Sequence, residues 1–231
     1  MQNVLVCDDD EAILESLRIY LDNAGFNVIT AVDGQDALEK VQNNEIHCVV
    51  LDIMMPRLDG LKATLKIREK YNFPIILLSA KSEDTDKITG LGFGADDYVT
   101  KPFSPSELVA RVDAIYRRVC MSENTAHMPK VIESGCFRLD QKSRTVSKNG
   151  EIIDLTQVEY QIMELFLKNQ NVALDRNQIL TEIWGDNYYG DIKIVDVNIR
   201  RLRMKVEEEP SNPKYISTVW GYGYKWCGAA E

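Results

Sequence analysis

Cys48-Val49-Val50-Leu51-Asp52-Ile53-Met54-Met55-Pro56 is the stretch that decides the reading of this chain. Four apolar residues run without alternation into a carboxylate, the pattern of a short parallel strand buried on both faces. Ligands of open parallel sheets bind just beyond the carboxyl ends of the strands. Asp52 falls at such an end. Taken alone, an aspartate after a strand is an ordinary turn or N-cap residue, so the other strand ends decide what it does.

Working outward, Val4-Leu5-Val6-Cys7 is a second apolar run, and Asp8-Asp9-Asp10 follows it. Ile13, Leu14, Leu17 and Leu21 then recur at helical spacing up to Gly25. Phe26 to Ile29 reads as a strand and Gly34 to Val41 as a helix. Beyond Asp52, Asp59-Gly60 turns the chain into a helix bearing Leu61, Leu65 and Ile67. Ile75 to Leu78 is a further buried strand ending at Ser79, followed by a helix around Lys87 to Leu91 and a short strand Tyr98-Val99-Thr100 before Lys101-Pro102. Ser104-Pro105-Ser106-Glu107 opens a last helix, with proline at its first position and Leu108, Val112, Ile115 and Val119 as its inner stripe. Five strand–helix alternations predict a doubly wound α/β fold, a five-stranded parallel sheet with helices on both faces.

The totals are compatible with this. A chain of 231 residues favours two domains. No apolar run approaches the ~20 residues that span a bilayer, and no signal peptide is visible at Met1-Gln2-Asn3, so a cytoplasmic location is expected. Five cysteines, odd in number and without a C-x-x-C, argue for reduced thiols over a disulfide frame or zinc site. The net charge of −9 argues against indiscriminate nucleic-acid binding. The acidity is uneven. The first 120 residues hold 13 of the 27 Lys and Arg and 20 of the 36 Asp and Glu, leaving 14 and 16 for the remainder.

Asp8, Asp9, Asp52, Ser79 and Lys101 all stand just past predicted strand ends, which a parallel sheet gathers on one edge. Crowded carboxylates repel one another and call for a cation. Mg²⁺ suits such a place, since it takes few carboxylates and fills its octahedron with waters and phosphate oxygens. With Lys101 as a second positive charge and Ser79 as a hydroxyl donor, the set can hold a phosphoryl group, and Asp52 can accept phosphorus as an acyl phosphate.

Four motifs, Cys7-Asp8-Asp9, Leu51 to Pro56, Leu78-Ser79-Ala80 and Gly94 to Phe103, resemble the receiver domain of two-component response regulators over residues 2–119. The resemblance implies a flavodoxin-like fold with strand order 2-1-3-4-5. It implies that Asp52 is the phosphoacceptor, and that Asp8, Asp9, Asp52 and the backbone carbonyl of Met54 hold Mg²⁺. It further implies that Lys101 pairs with the phosphoryl group through a loop with a cis bond to Pro102, that Ser79 bonds a phosphoryl oxygen, and that Tyr98 is a switch that turns inward. The family commonly has glutamate after the acidic pair; this chain has Asp10. The implied partners are a sensor histidine kinase and a second copy of the chain, the latter met through ion pairs of Lys87 with Glu107 and Asp97 with Arg111 on the surface of the Lys87–Leu91 helix, the Tyr98 strand and the last helix. An aspartate-nucleophile phosphohydrolase is disfavoured, because such enzymes carry a second aspartate where this chain has Met54. A receiver serving only as a dimer scaffold, without phosphorylation, is a further alternative.

Residues 120–129 lack periodicity and read as a linker, in which His127 is solvated. Residues 131–153 alternate weakly, with turns at Ser134-Gly135 and Asn149-Gly150, and predict a small antiparallel sheet. Thr156-Gln157-Val158-Glu159 is a capping box opening a helix through Phe166. A second helix is expected from about Arg176 to Trp184 and a third from about Ile192 to Glu207. The inner stripe of the third is Ile192, Val195, Ile199, Leu202 and Val206. Its other face carries Lys193, Val197, Arg200, Arg201 and Met204, flanked by Arg203 and Lys205. Basic residues interleaved with apolar ones suit the major groove, where arginine reaches phosphates or guanine and an apolar side chain touches a thymine methyl. Tyr215 to Val219 and Tyr222 to Trp226 flank Trp220-Gly221 as a hairpin.

Residues 131–226 resemble the winged-helix effector of the OmpR/PhoB class through Leu155-Thr156-x-x-Glu159-Tyr160, Ile183-Trp184-Gly185, Val195 to Arg203 and Thr218-Val219-x-Gly221-x-Gly223-Tyr224. The resemblance implies an α+β winged-helix domain at 130–228 after a receiver at 1–119, with 192–207 as recognition helix, 215–226 as wing, and promoter DNA and RNA polymerase as partners. The DNA-binding residues expected are Lys193, Val197, Arg200, Arg201, Arg203 and Thr218. The class often has arginine where this chain has Trp220. That tryptophan and Asp86 to Leu91 are similar to the VanR-like regulators. The whole predicts a phosphorylation-controlled transcription factor, not an enzyme beyond its own phosphoryl transfer and dephosphorylation.

Overall fold

The computed structural model describes residues 2–80, 94–121, 131–185, 188 and 190–228. The chain divides into two compact units, Met1–Arg117 and Arg118–Glu231.

The first unit is a parallel five-stranded sheet in the order β2-β1-β3-β4-β5, formed by β1 (Gln2–Cys7), β2 (Phe26–Ala31), β3 (Cys48–Asp52), β4 (Ile75–Ser79) and β5 (Asp97–Thr100). The apolar runs become its centre: every residue of β3 and β4 is buried, which is why neither run alternates. The flanking helices are α1 (Glu11–Asn23), α2 (Gly34–Asn43), α3 (Gly60–Arg68) and α4 (Pro105–Met121). Aspartates cap three of them: Asp10 accepts the Ala12 N–H, Asp33 those of Gln35 and Asp36, and Asp59 that of Lys62. The buried face of α3 is Gly60, Ala63, Thr64 and Ile67; Leu65 is 43% exposed. Gly60 is required where it stands. Its N–H donates to the Ile53 carbonyl, and a Cβ there would run into the Asp52 carbonyl oxygen. The helix expected at Lys87 to Leu91 lies outside the described residues. So does most of the expected linker, including His127; its first two residues, Cys120 and Met121, end α4.

The second unit begins with an antiparallel sheet of β6 (Val131–Ser134), β7 (Phe137–Asp140), β8 (Thr145–Lys148) and β9 (Glu151–Ile153). Three helices follow: α5 (Gln157–Lys168), α6 (Arg176–Trp184) and α7 (Lys193–Val206). α5 opens with the full capping box of Thr156 and Glu159. The terminal hairpin of β11 (Ile216–Val219) and β12 (Gly223–Trp226) gains a third strand that the sequence pattern did not show, β10 (Ala173–Asp175), paired antiparallel to β12. Gly223 permits that pairing, since a Cβ there would strike the Leu174 carbonyl oxygen. The buried residues of α7 are Ile194, Val195, Asn198, Ile199, Leu202 and Val206, so Ile192, expected in the stripe, precedes the helix as its N-cap.

Candidate functional site

β1, β3, β4 and β5 end on one edge of the parallel sheet, and the polar residues expected there converge. Asp8 follows the last residue of β1 and is fully buried. Its amide donates to the Ala31 carbonyl at 3.2 Å, and one carboxylate oxygen accepts the Asp10 N–H at 3.0 Å. Asp52 closes β3 and is 4% exposed. Oxygens of Asp8, Asp9 and Asp52 all lie within 4.8 Å of one another, with Asp9 exposed at the rim. Lys101, just past β5, is held by its amide on the Ser79 carbonyl at 2.7 Å, and its bond to Pro102 is cis. Its Nζ reaches Asp8 Oδ2 at 2.7 Å and Asp52 Oδ2 at 3.3 Å.

One ammonium thus pairs with two of three clustered carboxylates. Burial raises the pKa of Asp52 above the ordinary carboxylate value; Lys101 opposes the shift and the Asp8 and Asp9 charges add to it. Burial disfavours the Lys101 charge, but the hydrogen bond to Asp8 and the charge of Asp52 outweigh it, so its pKa is raised. Asp52 Oδ1 is buried without a hydrogen-bond partner among the described residues. A buried carboxylate oxygen without a donor is costly. Three hard oxygen ligands around it fit a divalent ion such as Mg²⁺.

Ser79 ends β4 and is 5% exposed; Tyr98, on β5, is 6% exposed. Met54, whose backbone was expected to complete the metal ligands, has a side chain 68% exposed. An apolar cleft of about 560 Å³, lined by Ala12, Ile13, Leu17, Pro102, Phe103 and Pro105, opens beside Lys101. Asp10, where the resemblance expects glutamate, is occupied as the cap of α1. Of the residues expected on a dimer surface, Lys87 lies outside the described residues. The other three pair within the chain: Arg111, only 7% exposed, contacts Asp97 at 3.1 Å and Glu107 at 2.7 Å.

In the second unit α7 sorts its basic residues into two groups. Lys193 and Arg200 are exposed, with Met204 66% exposed and Val197 half-buried along the same side. Arg201, Arg203 and Lys205 are engaged within the unit. Arg201 and Lys205 both pair with Glu159, a fully buried carboxylate on α5, at 3.2 and 2.7 Å. Arg203 donates to the Ile216 carbonyl at 3.0 and 2.6 Å and to Thr218 Oγ1 at 2.9 Å, and its guanidinium lies over the Tyr224 ring. Tyr224 also donates to Asp196 at 2.7 Å, beside Arg176, and burial first, with that hydrogen bond second, pushes its pKa up to about 12. Arg201, Arg203 and Thr218, expected on DNA, therefore fasten the helix to α5 and the hairpin. Periodicity could not separate them from Arg200, because their partners are 15 and 42 residues away in sequence.

Comparison with known proteins gives a family for each unit. Residues 4–113 match the family model of the response regulator receiver domain, and residues 150–226 match that of the C-terminal domain of transcriptional regulatory proteins. The chain is similar to the uncharacterized transcriptional regulatory protein YcbL of Bacillus subtilis, 42% identical over 96% of this chain and 98% of the relative. It is also similar to the sensory transduction protein RegX3 of Mycolicibacterium smegmatis, 38% identical over 99% and 100%. Among solved structures it is similar to DrrB, a Thermotoga maritima OmpR/PhoB homolog, at 33% identity over 99% of this chain and all of that one, with a TM-score of 0.53.

Proposed function

The chain belongs to the response regulators of the OmpR/PhoB type, a receiver followed by a DNA-binding domain, and from that premise we propose that Asp52 is its phosphoacceptor and the acidic sheet edge its catalytic site. The family implies a histidine kinase as donor and DNA as target. The observation that carries the assignment is the buried, unpartnered Oδ1 of Asp52 among three carboxylates and one lysine.

In this reading an Asp52 oxygen bonds phosphorus as the bond from phosphorus to the kinase's imidazole nitrogen breaks. Lys101 neutralises an equatorial phosphoryl oxygen and Ser79 donates a hydrogen bond to another. Asp8, Asp9, Asp52 and the Met54 carbonyl would hold Mg²⁺, which when bound supplies charge neutralisation at the transferring group. The apolar cleft beside Lys101 supports access for a partner helix bearing the donor. The chemistry is limited to the chain's own phosphoryl transfer and dephosphorylation.

Phosphorylation then draws on Ser79 and Tyr98 and favours a homodimer through the face carrying Asp97, Glu107 and Arg111. The intrachain pairs of Arg111 imply an exchange of partners on dimerisation. Arg111 and Asp97 are buried, so the exchange must keep both charges paired, since a buried charge left without its partner costs about 3–5 kcal/mol. The dimer would set two winged helices on adjacent half-sites and recruit RNA polymerase at promoters in the cytoplasm. No described helix is long and apolar enough to cross a membrane.

Labelled acetyl phosphate with Mg²⁺ tests the core of this proposal. The wild-type chain is expected to take up label and Asp52→Asn to take up none; label retained by Asp52→Asn would refute the acceptor.

A further inference from the structure

Trp220 has 91% of its surface exposed, more than any other large apolar side chain among the described residues, while Trp184 and Trp226 are buried at 2% and 0%. It stands at the apex of the β11–β12 hairpin. The Tyr222 N–H donates to the Val219 carbonyl at 3.0 Å, and Gly221 takes the positive φ of +70° that the tight turn needs. Tyr222, beside it, is 47% exposed. Nothing in the hairpin's own folding requires an indole at this corner.

We propose that Trp220 is a DNA-contacting wedge: its ring enters the minor groove beside the segment held by α7, stacks on a base step and kinks the duplex there. This inference rests on the DNA-binding reading of the second unit and adds a residue, and a means of selecting sequence, to it. Two observations favour DNA as the occupant.

The first is rigidity. Arg203 of α7 is hydrogen-bonded to Ile216 and Thr218 of β11, and Asp196 of α7 to Tyr224 of β12. The turn is therefore fixed relative to the exposed Lys193 and Arg200, and the two elements meet a duplex as one body. The second is charge. The chain carries a net −9, yet residues 215–228 contain no carboxylate and one lysine, Lys225. A projecting hairpin without negative charge can approach phosphates on both sides of a groove. Apolar side chains wedged between base steps from the minor groove unstack them and bend the duplex. The cost of that deformation depends on sequence, so such a wedge selects flexible steps without reading base edges.

The test uses the full-length chain, phosphorylated with acetyl phosphate, and duplexes that the wild type recovers from a random-sequence pool. Trp220→Ala is expected to lower affinity by about ten- to a hundredfold, the span of one lost aromatic–base stack. The slope of log affinity against log salt should not change, because no phosphate contact is removed. Circularly permuted probes should show a smaller bend, and Trp220→Phe should keep most of both properties. Trp220→Ala that binds and bends DNA as the wild type does would overturn the assignment while leaving the DNA-binding reading intact; if it then failed only in transcription with added polymerase, the indole would belong to a protein contact. A wild type that recovers no duplex would overturn both.

Discussion

Each unit of this molecule contains a cluster of charge around a buried carboxylate, and the two are balanced in opposite ways. In the receiver, Asp8, Asp9 and Asp52 cluster where Lys101 pairs with Asp8 and Asp52, and among the described residues one oxygen of Asp52 has no donor. In the effector, Glu159 faces both Arg201 and Lys205 and also accepts the Thr156 N–H at 2.8 Å as half of a capping box. Glu159 Oε1 also lacks a hydrogen bond among the described residues, but two cations stand against the one carboxylate, and the cluster holds two helices together. Among the described residues the receiver cluster carries an excess of negative charge, which a bound cation would neutralise. Buried charge therefore does not distinguish a working site from a structural one; the sign of the remainder does.

The comparison can be broken most severely at Glu159. Glu159→Ala leaves two partly buried cations facing each other and removes one half of the capping box, and it should destabilise the effector by about 4 kcal/mol. All three tryptophans, Trp184, Trp220 and Trp226, lie in that unit, so tryptophan emission on heating reads it selectively. An unmoved transition would make the cluster ornamental. Next comes Lys101→Ala, which strips the receiver edge of the cation paired with Asp8 and Asp52 and should cost that unit about 2 kcal/mol. The loss should be partly recovered by Mg²⁺, as read by calorimetry of the transition to which tryptophan is silent. A loss that Mg²⁺ leaves untouched would mean that no ion site is formed. Smaller still is the contrast within α7. Arg200→Ala should change stability by no more than about 0.5 kcal/mol but lower the salt slope of DNA binding by about one. Arg201→Ala should do the reverse, losing stability with the slope kept. Equal slopes for the two variants would show that exposure does not sort the helix.

Much of the receiver was readable from sequence because its signals are local. Runs such as Ile75 to Leu78 state double-sided burial by themselves, and a parallel sheet leaves one edge at which Asp8, Asp52, Ser79 and Lys101 can meet. The capping box at Thr156 is equally local. What the pattern missed depends on distant partners. Three-residue β10 exists only because β12 lies beside it at Gly223. Arg201 and Arg203 look like Arg200 on a helical face until Glu159 and Thr218 are placed next to them. The buried side of α3 is Gly60, Ala63, Thr64 and Ile67, small residues among them because the helix packs closely on the end of β3. Asp97 and Arg111, read as partners between copies, also pair within one chain.

The most direct test of the charge imbalance is the thermal transition of the receiver in wild type and Asp52→Asn, with chelator and then with Mg²⁺. Because burial raises the folded-state pKa of Asp52, its contribution to stability is complete below the ordinary carboxylate value of 3.8 and is lost as the pH rises through the raised one. In chelator at neutral pH, Asp52→Asn should therefore melt a few degrees above wild type, with the gap closing on acidification. Mg²⁺ should raise the wild type and leave the variant nearly unmoved. A variant that melts below wild type in chelator, or gains from Mg²⁺ as much as wild type does, would contradict the account.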